Sequence, residues 1–177
     1  MHRSADMPDT TELNYEQWRD LLRPNWGLYT SDDPKGFVGS VRSRSICGFN
    51  ASDIGNNVRR CERTQKDLRL DGVDHFYVVF QIAGRSTIIQ NDHAATLVAG
   101  DATLIDSARP VTYLNDGQEQ WLSLQLPRQP LVSRVGGRPK VPSTTSTKFR
   151  SSRRMNRLCC AIAKFARPSG SALRRAR

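Results

Sequence analysis

The spacing of apolar side chains changes character along the chain. In LNYEQWRDLLRPNWG, residues 13–27, Tyr15, Trp18, Leu21 and Leu22 recur at helical spacing. Asn14 followed by Gln17 has the form of a capping box, and Leu13 stands where it can staple onto Trp18. The pattern predicts a short amphipathic helix that Pro24 ends after Arg23. From Phe37 the period drops to two, with Val41, Ile46 and Phe49 set among small and polar residues. The next stretch, NNVRRCERTQKDLRL at 56–70, interleaves Arg and Thr with apolar residues and predicts a strand of a half-exposed sheet.

Residues 74–126 give the clearest pattern. Short apolar or alternating runs are separated by AGR, NDH, AGD, SARP and NDGQE, where Gly, Asn, Asp and Pro supply the backbone angles of tight turns. In the AGD break, Gly100 and Asp101 form the turn, with Asp101 accepting backbone N–H groups. Runs at intervals of roughly 8–12 residues predict an antiparallel sandwich or closed barrel. Phe76, Val78, Phe80 and Ile82 fall on one face of their strand, and Trp121, Ser123 and Gln125 alternate with Leu122, Leu124 and Leu126 on the last. There is no internal repeat.

Charge divides the chain in two. Every Asp and Glu lies at or before Glu119, and residues 1–137 hold 15 basic and 17 acidic groups, while residues 138–177 hold 12 Lys or Arg and carry the whole excess of the +10 net charge. The basic balance therefore describes a tail, not a domain surface. Residues 138–154 are rich in Ser, Thr, Arg and Pro without apolar period, which predicts disorder; residues 151–167 place Met155, Leu158, Cys159, Ile162 and Phe165 at helical spacing among Arg and Lys, the pattern of a basic amphipathic helix. Cys47, Cys61, Cys159 and Cys160 show no metal-ligand spacing and read as reduced thiols. With no leader-like apolar segment and no apolar run near the ~18 residues of a membrane span, a cytoplasmic protein without membrane attachment is expected.

Few residues suggest catalysis. His75 and His93 each lack a neighbouring His, and His2 is terminal, so no metal or other cofactor is expected. Ser107 has no visible His and Asp partners, and Asp101 and Asp106 fall on opposite faces of one strand, which argues against an acid and base pair. What remains is an interior that could take a small molecule. Phe76, Phe80, Gln81 and Trp121 have the composition of such a lining, and Arg60, with Arg63, could meet a carboxylate.

The strand ending in Gly84, the run QNDHAATLVAGDATLIDSARP with Gly100, Asp101, Asp106, Arg109 and Pro110, and the closing LSLQLPRQPL resemble the amino-terminal, cupin-like domain of AraC/XylS-type transcription regulators. The similarity is greatest to the FeaR branch, which serves aromatic amine catabolism. It covers residues 12–135, including the helix around Trp18. The resemblance implies a mainly β, cupin-like jelly-roll barrel with a short N-terminal helix that senses an effector, an aromatic amine or aldehyde, and forms a homodimer. It implies DNA binding through a further domain with helix-turn-helix motifs. No such motif is visible after residue 135, so sequence-specific DNA binding is not expected of this chain alone, and residues 138–177 read as a basic appendage from a truncation or a shifted reading frame. Two other readings of the same features are a small metal-dependent cupin enzyme and a peripheral protein using residues 151–167 on anionic membranes.

Overall fold

The computed structural model describes residues 12–31, 35–135 and 145–146. In chain order the elements are α1 (Tyr15–Trp26), β1 (Thr30–Ser31), β2 (Gly39–Ile46), β3 (Phe49–Asn56), β4 (Arg60–Arg63), α2 (Gln65–Asp71), β5 (His75–Ala83), β6 (Arg85–Gln90), β7 (His93–Val98), β8 (Asp101–Asp106), β9 (Val111–Asn115), β10 (Glu119–Pro127), α3 (Arg128–Val135) and β11 (Thr145–Ser146). Among the described residues they build two sheets, ordered β1-β4-β9-β6-β7 and β11-β8-β5-β10-β3-β2. Every pairing is antiparallel. The expected mainly β jelly-roll barrel with an N-terminal helix is the fold.

The two sheets face one another across a core of Ile54, Val79 and Ile105 from the larger sheet and Ile88, Leu97 and Val111 from the smaller. Trp18, Leu22 and Trp26 of α1 close it at one side. A second cluster lies on the opposite face of the larger sheet. Register places Phe76 beside Leu126, Val78 beside Leu124 and Phe80 beside Leu122, and these pack with Ile46, Ala51 and Leu131.

Local chemistry explains the elements, including two that depart from the sequence expectation. The Asn14–Gln17 capping box starts α1 as anticipated, but the helix runs through Pro24 to Trp26. Its last turn is held by tertiary contacts: Trp26 stacks on Tyr77 with ring centroids 4.3 Å apart and planes 7° from parallel, and the Tyr77 hydroxyl donates to the Asn25 carbonyl. These contacts offset the amide bond that proline forfeits. Residues 65–71 form α2, not a continuing strand, because Thr64 and Asp67 make a second capping box and Gly72 ends the helix with φ +63°. Cys47 is disulfide-bonded, where a reduced thiol was expected.

The basic tail at 138–177 lies outside the described residues except for Thr145 and Ser146, which pair with Ala102 and Asp101 at the β8 edge. The amphipathic pattern at 151–167 likewise lies outside them. Among the described residues no helix is long and apolar enough to cross a membrane.

Candidate functional site

The barrel interior beneath α1 holds a cavity of ≈ 20 Å³, room for about one water. Trp18, Leu22 and Trp26 come to it from α1, and Tyr29 from the segment that follows. Strands contribute Ile54 and Asn56 from β3, Cys61 from β4, Tyr113 and Asn115 from β9, and Trp121 from β10. The register of β10 against β5 shifts between Gln120 and Trp121, an irregularity of the kind that re-aims a side chain. Trp121 then meets Tyr113 at 5.1 Å between ring centroids, and Tyr113 meets Tyr29 at 5.9 Å.

Polar atoms behind this aromatic wall form one connected chain. Asn115 donates to the Val58 carbonyl at 2.8 Å, and Val58 N–H donates to Asn56 Oδ1 at 3.0 Å. Asn56 Nδ2 donates to Glu119 Oε1 at 3.0 Å, Ser86 is hydrogen-bonded to the other oxygen of Glu119, and Trp121 Nε1 donates to Ser86 Oγ at 3.2 Å. Glu119 is 2% exposed. Burial pushes its carboxyl up to about 8, against the opposing effect of the hydrogen bonds from Ser86 and Asn56, so it carries a proton at neutral pH.

Four residues of the cavity lining carry a buried polar atom that meets no partner within hydrogen-bond distance and angle: Trp18 Nε1, Tyr29 Oη, Tyr113 Oη and Asn115 Oδ1. The hydroxyls of Tyr29 and Tyr113 interact with one another, and burial raises the titration of both. Each unmatched buried group costs roughly 1–3 kcal/mol, and all four belong to residues that line this one cavity.

The same end of the barrel is braced by an ion pair. Arg63, whose side chain is fully buried, reaches Asp71 with two hydrogen bonds of 2.5 and 2.6 Å and also donates to the carbonyls of Leu28 and Ser107. Burial alone would raise the Asp71 carboxyl, but Arg63 and the N–H groups of Val73 and Leu28 outweigh it and hold it at about 2. The pair ties the segment after α1 to α2 and to the β8–β9 turn.

These features resolve into a family. A model of the AraC-binding-like domain matches residues 29–176. This chain belongs to that family. The matched span of the AraC-binding-like domain includes the basic segment that the sequence pattern set apart. It is 29% identical over 131 residues to an "uncharacterized protein in nit 5′ region" of Bacillus sp. (strain OxB-1), covering 73% of this chain and 51% of that one. The chain therefore spans about half the length of that curated relative. Among solved structures it resembles the AraC-like transcriptional activator CuxR, with TM-score 0.62 and 15% identity over 90% of this chain and 69% of that one. A looser likeness, TM-score 0.44 at 10% identity, is to the EutQ protein of Clostridium difficile, over 70% of this chain and 99% of that one.

The AraC-binding-like domain brings together only some of the residues singled out from sequence. Trp121 lines the cavity, and Gln81 lies buried on the same inner face of the larger sheet, donating to the Ala83 carbonyl at 2.8 Å. Phe76 and Phe80 belong to the outer cluster and do not face the interior. Adjacent Phe80 and Gln81 could not share a face, and β5 is apolar on both, so its pattern does not mark the inner side. Arg60 stands on the exposed face of β4 and pairs with Glu62 at 2.8 Å, away from the cavity. Gly100 adopts φ +97°, and Asp101 accepts the Val98 N–H at 3.1 Å, closing the β7–β8 turn. The residues that sequence reasoning missed are Tyr29, Asn56, Tyr113, Asn115 and Glu119. The available signal was polar: Asn56, Asn115 and Glu119 stand at the ends of strands in positions the barrel buries.

Proposed function

We propose that this chain senses a small aromatic effector in the cavity under α1, as the ligand-responsive domain of an AraC-type regulator. The observation that carries the reading is the set of four unpartnered polar atoms on an aromatic wall. A bound molecule with a flat ring and one polar end would stack among Trp18, Trp121 and Tyr113 and satisfy those atoms. An amine would donate to Asn115 Oδ1 and place its charge near aromatic faces; an aldehyde would accept from Trp18 Nε1 or a tyrosine hydroxyl. That is the ligand class implied by the resemblance to the FeaR branch.

A cavity of ≈ 20 Å³ cannot admit a benzene ring without movement. The strand-borne walls are tied into ladders and Leu28 is held by Arg63 and Asp71, so the α1 side chains Trp18 and Leu22 are the part that yields. Homodimer formation and control of an operator belong to the regulator as a whole and follow from the same reading. No catalytic role is assigned to Glu119, whose proton is held within the wall.

The test is the thermal unfolding midpoint of the full chain with phenylethylamine, the matching aldehyde and an aliphatic amine of equal length. A ligand at one hundred times its Kd adds about 2.7 kcal/mol, which for a chain of this size raises the midpoint by about 5–10 °C. A flat response to every aromatic ligand up to millimolar concentration overturns the proposal. Equal shifts with the aliphatic amine overturn the aromatic part of it.

A further inference from the structure

Among the described residues the two sheets end on β1, β7, β11 and β2, and three of these edges are guarded. β1 and β11 are two residues long. β2 carries Arg42 and the exposed Arg44, and at its start the Gly39 carbonyl accepts the Leu13 N–H at 2.8 Å. Short edges and edge charges are means by which a sheet avoids pairing with another chain. β7 has neither. Its six residues read HAATLV, without Lys, Arg, Asp, Glu or Pro, and Ala94, Thr96 and Val98 are exposed.

Register fixes which backbone groups of β7 point outward. Asn91 and Asp92 both adopt positive φ, +53° and +62°, so β6 and β7 are joined by a two-residue type I′ turn. In such a hairpin the closing pair, Gln90 and His93, exchanges both hydrogen bonds, and bonded and non-bonded pairs alternate from there. Ala95 and Leu97 therefore bond to β6, whereas Ala94, Thr96 and Val98 turn their N–H and C=O groups away from it. Val98 agrees with this phase, because its N–H donates outward to Asp101 Oδ2 at 3.1 Å. Ala94 and Thr96 present two N–H and two C=O groups along an exposed edge that no described strand pairs with.

We infer that the β7 edge takes a second copy of this chain, with the two β7 strands antiparallel about a two-fold axis at Ala95. In that register Ala94 of each copy stands opposite Thr96 of the other, and their outward groups close four hydrogen bonds. An axis at Thr96 would need the Val98 N–H that Asp101 holds, and an axis between residues would set inner side chains opposite outer ones. The five-stranded sheets of two copies then join into one sheet of ten strands. A folded copy suits this edge better than a flexible peptide, because its strand is already extended and carries no further ordering cost. The outer side chains at the seam, Ala94, Thr96 and Val98 beside Thr87 and Ile89, bring no charge into the contact. Opposite charges meet at its two ends: Asp92 of one copy falls opposite Val98 of the other, one strand from Arg85, whose ion pair with its own Asp116 is 3.7 Å long. A six-residue strand is about 20 Å long. The contact is therefore smaller than the roughly 1,200–2,000 Å² of stable complexes, and the dimer is reversible. The inference does not depend on the effector reading, since β7 lies at the opposite edge of the smaller sheet from β1, and its test uses no ligand.

The deciding measurement is residue-resolved amide hydrogen exchange of the full chain at low and high protein concentration, beside its mass from sedimentation equilibrium. As the mass rises from one chain toward two, exchange at Ala94 and Thr96 should slow severalfold, while Ala95 and Leu97, bonded to β6, are slow throughout. A mass of one chain at every concentration overturns the inference, as does a doubled mass with exchange at Ala94 and Thr96 unchanged. Variants give a second readout. Thr96→Pro removes an outward donor at an edge position where proline is tolerated, and Ala94→Lys places a charge on the edge. Each should weaken the dimer tenfold or more while the thermal midpoint stays near that of the parent, and Ser45→Lys on the β2 edge should leave the dimer unchanged. A dimer insensitive to both β7 variants, or weakened equally by Ser45→Lys, overturns it.

Discussion

Replacing Glu119 by Gln should remove a pH dependence built into the barrel. In the folded chain the carboxyl is pushed up to about 8 from an ordinary value of 4.5. Its folded value lies above its unfolded one, so its contribution is most favourable below about pH 4.5 and is lost as pH rises through about 8. At 1.36 kcal/mol per unit, the protein gives up about 3 kcal/mol by pH 7 and about 4–5 kcal/mol above pH 8. Glutamine keeps an oxygen for Asn56 Nδ2 and an amide beside Ser86 but does not titrate. Urea unfolding of both proteins near pH 5 and near pH 9 isolates the effect, because every other group titrates in both. The stability of Glu119→Gln relative to the parent should rise by about 4 kcal/mol between the two conditions, a relative midpoint shift of about 2 M at a typical slope of ~2 kcal/mol/M. A difference constant to within ~0.5 kcal/mol would refute the claim that this carboxyl is protonated in a dry wall.

Other expectations follow from the same geometry. Asp71→Asn leaves the Arg63 guanidinium buried without its counter-charge and should cost about 3–5 kcal/mol in denaturant unfolding; the parent should lose about 2 kcal/mol as pH falls from about 4 to about 2, because a depressed carboxylate stabilises only while ionised. Gly27→Ala should destabilise by about 2 kcal/mol or more, since φ is +84° and the new methyl would stand 2.3 Å from Asp71 Oδ2 and 2.4 Å from Arg63 Nη1. Trp26→Ala, which removes the stack on Tyr77, should cost about 3–5 kcal/mol by the same assay. Tyr113→Phe should leave the unliganded protein as stable or up to ~1 kcal/mol more stable, because it deletes an unmatched hydroxyl, while weakening an aromatic effector about tenfold in titration calorimetry.

The fold was legible where local chemistry and tertiary context agree. The Asn14–Gln17 cap, the turns after Ala83 and Val98, and the short runs of residues 74–126 each carry their conformation in neighbouring residues. Pro24 misled because Trp26 gains more from Tyr77 than the helix loses at proline. The helix α2 was hidden by an alternation of Arg and Thr, although Thr64 and Asp67 already had capping-box spacing. The site was less legible than the fold. HFYVVFQIA is apolar on both faces, so nothing local chooses which half points inward, and Phe76 and Phe80 were placed on the wrong side. Tyr29, Asn56, Tyr113, Asn115 and Glu119 come from different strands and the segment after α1, and only the closed barrel makes them neighbours.

All three tryptophans of the chain, Trp18, Trp26 and Trp121, stand on the cavity wall. The tryptophan emission of the protein therefore originates entirely at the place where an effector would sit. No label or engineered chromophore is required: with excitation at the red edge, where tryptophan absorbs and tyrosine does not, quenching, a wavelength shift or energy transfer to an absorbing ligand would each report occupancy of this one compartment, with no tryptophan elsewhere in the chain to subtract.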